Sequence, residues 1–254
     1  MDVKYAVGLP TVGEFGDVHT LLELAVAAER HGWDGVHLWD HLLYHEPDWP
    51  VTSPTVAAAA IAAATSRVRI LLTVVLPRRQ VQEVAQDTAA IDALSRRRLT
   101  IVAAIGSIDR EYSDFGLSAD LRERGHALDE RLARLTQLWS QWSMPTIPIW
   151  CGGQWPSTAG LRRAARFDGA MPVFAGQHSG NVPVATFHEA ASYVRRRAPG
   201  SLDIAMEGTT DGPGSAPEIT PYAEAGLTWW IEALGWWRGD RAAAASRIVA
   251  GPPR

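Results

Sequence analysis

The chain contains one cysteine, Cys151, in 254 residues. No intrachain disulfide framework can therefore exist, and a reducing cytosol is the expected setting. No stretch approaches the roughly 20 apolar residues that a bilayer-spanning helix needs. Met1-Asp2-Val3-Lys4-Tyr5 lacks the basic start and long apolar run of a secretory signal. Excess charge of one sign is also lacking: 24 Lys and Arg against 28 Asp and Glu leave −4. That balance gives no electrostatic reason to expect nucleic acid or an anionic membrane as partner. The eight histidines form no H-E-x-x-H pattern, and His41 with His45 could chelate only from a helix, so no metal site is expected. No G-x-S-x-G elbow occurs, and Cys151 has no adjacent base in sequence.

Apolar residues, by contrast, are plentiful at 46% with 20% charged, the balance of a globular protein with ample core. Eleven tryptophans include the pairs Trp229-Trp230 and Trp236-Trp237. Such pairs serve as core, as subunit-interface packing or, less often, as a substrate wall.

Short β-like runs alternate with helical patterns along the whole chain. Strands are predicted at 4–9, 34–39, 68–76, 98–105, 147–151, 170–173, 202–207 and 227–231. The run 68–76 is nearly all apolar, as a parallel strand covered on both faces should be. Asp17, Ser53 followed by Pro54, Ser157 and Asp240 are predicted helix caps, and Thr186 with Glu189 reads as a capping box. The clearest helix carries Leu128, Leu132, Leu135, Trp139 and Trp142 at alternating spacings of four and three. Strict alternation predicts a parallel sheet, and eight β/α units in about 250 residues predict a closed barrel. No G-x-G-x-x-G follows the first strand, which removes the usual fingerprint of an open dinucleotide-binding sheet. The fold expected is α/β: a single (β/α)8 TIM barrel over 1–254, compact and without a large insertion, with a loose tail from about 251.

In such a barrel the chemistry sits at the C-terminal ends of the strands. Trp39-Asp40-His41 closes the second strand. An imidazole can take or give a proton at neutral pH, so His41 could move one, tuned by Asp40 or another carboxylate; the other reading is that it caps local backbone. Gly152-Gly153 before a helix, with Ser157, suits a phosphate or merely makes a tight turn. Glu207 and Glu232 end later strands, where they either do acid–base work or pair with arginines. Arg96-Arg97-Arg98 reads as a solvated turn at the opposite face, and Arg195-Arg196-Arg197 as a helix end where cations suit the dipole.

Six segments carry a family resemblance: residues 23–41 (ELAVAAERHGWDGVHLWDH), 62–76 (AAATSRVRILLTVVL), 87–99 (DTAAIDALSRRRL), 109–116 (DREYSDFG), 148–153 (PIWCGG) and 223–234 (AEAGLTWWIEAL). In order and spacing the chain resembles the luciferase-like monooxygenase family of flavin-dependent monooxygenases and deazaflavin-dependent oxidoreductases. The resemblance implies a cofactor ring at the mouth against strands two to four. It implies a bulge near Thr73-Val74, often with a non-prolyl cis peptide, whose cost of about 3–4 kcal/mol would mark function. It also implies that His41, with Asp40, assists a proton movement coupled to hydride transfer. Thr73, Val74, Ala104, Gly106, Gly152, Gly153, Gln154 and Ser157 are the implied cofactor contacts. The chain departs from the family where Val102 and Ala104 stand in place of expected glycines, and where Ser95-Arg96-Arg97-Arg98 replaces a Ser-Gly-Gly-Arg turn.

The function expected is a cytoplasmic deazaflavin (coenzyme F-420) oxidoreductase acting on a small organic substrate. An FMN-dependent monooxygenase is the alternative, and a cofactor-free barrel with a binding role is the second. By family analogy a homodimer is expected, with the tryptophan pairs as candidate interface.

Overall fold

Strand and helix alternate because apolar spacing switches between two and about 3.6 residues at each Gly- or Pro-marked turn. In the computed structural model, which describes residues 3–254, eight strands pair in sequence order, all parallel, into one closed barrel. Met1 and Asp2, the first residues of the segment read for a secretory signal, lie outside the described residues. The strands are β1 (Lys4–Leu9), β2 (Gly35–Leu38), β3 (Arg69–Val75), β4 (Leu99–Ala104), β5 (Ile149–Trp155), β6 (Gly169–Phe174), β7 (Asp203–Gly208) and β8 (Trp229–Ala233). The helices are α1 (Val18–Arg30), α2 (Pro54–Ala64), α3 (Val81–Leu94), the single turn α4 (Arg110–Ser113), α5 (Leu121–Gln141), α6 (Ala159–Ala164), α7 (Val184–Arg195), α8 (Ala216–Glu224) and α9 (Arg241–Ala250). No helix among the described residues is long and apolar enough to cross a membrane.

Two cores result. Outward-facing strand residues such as Ile70, Leu72, Val74 and Ile101 pack beneath the helices. Inside the cylinder, Ala6, Leu71, Val102, Trp150, Met171, Ala205, Trp229 and Ile231 form a separate cluster. Trp229 and Trp230 are thus core residues with no surface to offer a second subunit.

Asp17, Ser53 and Asp240 cap α1, α2 and α9 by accepting from the amides of Thr20, Val56 and Ala243. Several expectations fail locally. Strand β5 does not stop at Gly152-Gly153 but runs through them to Trp155. Thr158, not Ser157, precedes α6, and no side chain caps it. Helix α7 begins after Pro183, so Thr186 and Glu189 lie inside it and form no capping box. The tail is not loose: Gly251 and Pro253 are buried, and Arg254 donates to Asp34 Oδ2 at 2.6 Å over the ring of Tyr5. Arg96 and Arg97 do make a solvated turn, whereas Arg98 reaches back to the carbonyls of Ala62, Thr65 and Val68 and pins the end of α2.

The glycines of β5 have two different roles. A Cβ on Gly153 would lie 2.8 Å from Gly160 Cα, and one on Gly160 2.6 Å from Gly152 O. Strand and helix touch backbone to backbone there. A Cβ on Gly152 would instead meet nothing nearer than Ala103 O at 3.8 Å. We expect Gly160→Ala to cost about 1–3 kcal/mol through overpacking, lowering Tm by roughly 2–4 °C per kcal/mol. Gly152→Ala should stay within about 0.5 kcal/mol. Thermal unfolding of both variants checks this, and equal losses would remove the distinction.

Candidate active site

Stepping two residues up each strand from the inner core gives the uppermost inward layer: Gly8, His37, Thr73, Ala104, Gly152, Val173, Glu207 and Ala233. The layer is divided. Gly8, His37, Glu207 and Ala233, on β1, β2, β7 and β8, are buried. Thr73, Ala104 and Gly152 are half-buried and Val173 is 38% exposed, so the β3–β6 side is open to solvent.

Aromatic packing seals the first half. Trp39, just past β2, stacks on Trp237 with centroids 5.6 Å apart and planes within 8°. His178 tilts against both at 6.1 and 5.0 Å. Trp236 meets Trp39, Tyr44 and Trp49 edge-on, and Tyr44 stacks on Trp49. Edge and offset pairs of this kind each add about 0.5–1.5 kcal/mol beyond area burial. The Trp236-Trp237 pair is therefore a wall of the mouth, although Trp236 keeps 36% exposure.

Beneath the seal lies a buried polar chain. His37 Nδ1 is 3.1 Å from Glu207 Oε1, and His37 Nε2 is 2.8 Å from Thr73 Oγ1. Glu207 also accepts from Trp39 Nε1 and Gln177 Nε2, both at 3.3 Å. Burial pushes the Glu207 carboxyl up, but the hydrogen bond and charge of His37 outweigh it and hold the group below the usual glutamate range.

A second cluster stands beside the open half. Asp40 Oδ2 accepts from the Val75 amide at 2.7 Å, and Oδ1 pairs with Arg78 and Arg79. Asp40 thus anchors the corner after β3 and makes no bond to His41. The partner of His41 is Glu111, on α4, whose Oε1 lies 3.1 Å from Nδ1 and also accepts from the Leu42 amide at 2.6 Å. Arg78 bridges the two carboxylates, donating to Asp40 and to Glu111 Oε2. Burial raises the Glu111 carboxyl, yet His41, Arg78 and the Leu42 amide together hold it below its ordinary value. His41 itself keeps 13% exposure of its side chain.

Of the implied cofactor contacts, Thr73, Ala104 and Gly152 converge on the open floor and Gln154 stands exposed on its rim. Gly106 holds a left-handed φ of +74° and passes close under Val75 and Tyr112. Val74 turns outward into the helix-side core, Gly153 is taken up by α6, and Ser157 is exposed away from any helix amide. No cis peptide occurs at Thr73-Val74; β3 runs in register with β4 through Val75, and the one cis bond among the described residues is Trp155-Pro156. Val102 lies a layer below the floor, so only Ala104 adds a methyl to it. Glu232 is buried and paired with Arg238 and Arg247, the arginine-pairing alternative.

Two residues escaped the sequence reading. Glu111 is 70 positions from His41, and no local pattern links them. His37, between Val36 and Leu38, reads as core, although strand parity turns it inward.

The model of a family described as luciferase-like monooxygenase matches residues 5–210. No curated protein matches the chain. Among solved structures, an F420-dependent secondary alcohol dehydrogenase in complex with an F420-acetone adduct is 16% identical, with a TM-score of 0.77 over 98% of each chain. The coenzyme F420 dependent tetrahydromethanopterin reductase from Methanopyrus kandleri is 14% identical, with a TM-score of 0.72 over 98% of each chain. A type II Baeyer-Villiger monooxygenase, the oxygenating constituent of 3,6-diketocamphane monooxygenase from Pseudomonas putida in complex with FMN, is 12% identical. Its TM-score is 0.66, with 86% of this chain and 71% of that one covered. At such identities the likeness speaks for the fold.

Because the folded-state pKa of Glu111 is depressed, its contribution to stability is present above the unfolded value, about 4.3, and is lost as pH falls through the folded one. Glu111→Gln should therefore be less stable than wild type at pH 7, with the gap narrowing below about pH 4. Denaturant unfolding at both pH values tests this; a gap that does not change with pH refutes it.

Proposed function

We propose, from the premise that the chain belongs to the luciferase-like monooxygenase family, that it is a deazaflavin-dependent oxidoreductase acting on a small organic substrate. The observation that carries this reading is the divided mouth, whose open half is floored by small side chains beside a histidine held by a buried carboxylate.

The floor fits a flat ring system. Thr73, Ala104 and Gly152 leave it low, and the Cβ direction of Gly152 meets only distant backbone oxygens. Trp39 and His41 rise beside it. Thr73, Ala104 and Gly152 would hold the ring of coenzyme F-420, and Gln154 stands exposed on the rim beside them. Once bound, the deazaflavin supplies the hydride donor or acceptor.

The residues of this chain supply orientation and proton handling. His41, Arg78 and the Leu42 amide keep Glu111 ionised, and the Glu111 carboxylate accepts a hydrogen bond from Nδ1–H of His41, which leaves Nε2 to take or give a proton. Asp40 acts at one remove, holding Arg78 and the β3 corner in place. The aromatic wall keeps water from one side of the reacting centre and so strengthens electrostatic interactions within it.

An FMN-dependent monooxygenase is the second reading, favoured by the FMN-bound neighbour and by the family's description. The sealed half of the mouth is what favours a cofactor-free barrel.

Absorbance titrations with coenzyme F-420 and with FMN separate the three. Micromolar binding of the deazaflavin with weaker FMN is expected. The opposite order makes the protein a flavin monooxygenase, and binding of neither makes it a cofactor-free barrel. In the loaded enzyme, His41→Ala should cut turnover by ~10²–10⁴-fold with cofactor affinity changed only a few-fold; unchanged turnover would make His41 structural.

A further inference from the structure

The aromatic wall holds two stacked pairs of rings and one ring left over. Trp39 lies parallel to Trp237 and Tyr44 to Trp49, with planes within 8° and 5° of each other. Trp236 touches all four, its centroid 4.8–6.2 Å from theirs, but crosses each at 72–87°. Among the described residues no ring is stacked on its indole, which keeps 36% exposure.

The surroundings hold Trp236 in this arrangement. A Cβ on Gly235 would come within 2.2 Å of the Trp237 ring, and one on Gly13 within 2.9 Å of the Trp49 ring, so glycine seats both indoles. Arg238 donates to the carbonyls of Ala233 and Thr210 at 3.0 and 2.9 Å and pairs with buried Glu232. These bonds fix the turn that carries Trp236 and Trp237. An exposed aromatic surface in a fixed orientation at a barrel mouth is what a ligand site offers.

The charges nearby are already met. Asp40 and Glu111 pair with Arg78, Arg79 and His41, and Glu232 pairs with Arg238. Glu46 and Asp48, between Tyr44 and Trp49 in sequence, are exposed, where water and salt screen them. An ionic ligand would give up water here without gaining a buried counter-charge, whereas a neutral ring gives up only apolar hydration.

We infer that Trp236 is a specificity-determining residue whose indole binds an uncharged, planar aromatic ring of the substrate. The ligand's ring supplies the stacking partner that Trp236 lacks, as Trp237 does for Trp39 and Trp49 for Tyr44. Trp236 selects by shape and polarity and takes no part in the chemistry. The wall comes from the loops after β2 and β8, whereas the floor given to the cofactor ring lies on β3–β5, so both can be filled together. That the bound ring belongs to the substrate rests on the redox function proposed above; the subsite itself rests on the geometry alone.

NMR titration of the full chain without cofactor tests the subsite with matched single-ring probes: phenol, cyclohexanol, benzenesulfonate and N-methylpyridinium. Phenol should bind most tightly and shift the indole N–H resonance of Trp236, with the Gly152 amide unmoved. The ranking of the probes and the site of the shifts need no variant. Trp236→Ala should weaken phenol binding about 3–10-fold, and Trp236→Phe, which keeps a ring, should recover most of the loss. Equal affinity in Trp236→Ala and wild type, shifts centred on Gly152, or tighter binding of the saturated or either charged probe overturns the subsite. With coenzyme F-420 bound, phenol affinity should be unchanged; displacement of one by the other puts the probe on the floor and overturns the subsite as well. If neither coenzyme F-420 nor FMN binds, the redox function falls, and the titration with the probes alone still decides the subsite.

Discussion

Closing eight parallel strands into a cylinder forces every second side chain into a space that must be filled, layer by layer. The lower layers obey with an apolar set led by Trp150 and Trp229, whose indoles meet edge-on at 5.7 Å. The top layer has no layer above it, so each of its positions is either covered by a loop or open to solvent. Trp39, Trp236 and Trp237 cover the β7-β8-β1-β2 side, whereas the top-layer residues of β3–β6 keep partial exposure. Both the candidate binding floor and the buried polar chain beside it follow from that asymmetry.

Buried charge near the mouth is organised on the same constraint. A carboxylate removed from water is tolerated only when its lone pairs are met. Asp40, Glu111 and Glu207 satisfy this by different means. Asp40 takes two guanidinium groups and the Val75 amide, Glu111 takes Arg78, His41 and the Leu42 amide, and Glu207 takes His37, Trp39 and Gln177. Arg78 ties the first two together and fixes the loops after β2 and β4 against the corner after β3. Each titratable group is thereby held in one orientation before any ligand arrives, and such preorganisation reduces the cost of reaction or binding.

Much of the barrel was legible in the residues. The strand 4–9 matches β1 because its apolar spacing and flanking breakers agree. Helix caps at Asp17, Ser53 and Asp240 were equally plain, since capping is a contact within three residues. Gly152-Gly153 was ambiguous in sequence. A glycine pair ends a strand, cradles an anion or admits a close neighbour with equal ease, and only the approach of Gly160 decided between them. The end of the chain is a similar case. Gly251-Pro252-Pro253-Arg254 has the composition of a loose end but meets Asp34 and Tyr5, some 220 positions earlier.

The sequence by itself determined the family, the count and order of the β/α units, and that His41 would stand at the mouth, because these depend on periodicity and short-range spacing. Tertiary structure alone decided which carboxylate serves which histidine. Asp40 is adjacent to His41 yet faces the arginines, while Glu111 and Glu207 reach their histidines from 70 and 170 positions away. Adjacent residues at a strand end leave the backbone in diverging directions, and closure of the barrel brings together side chains that no local pattern connects.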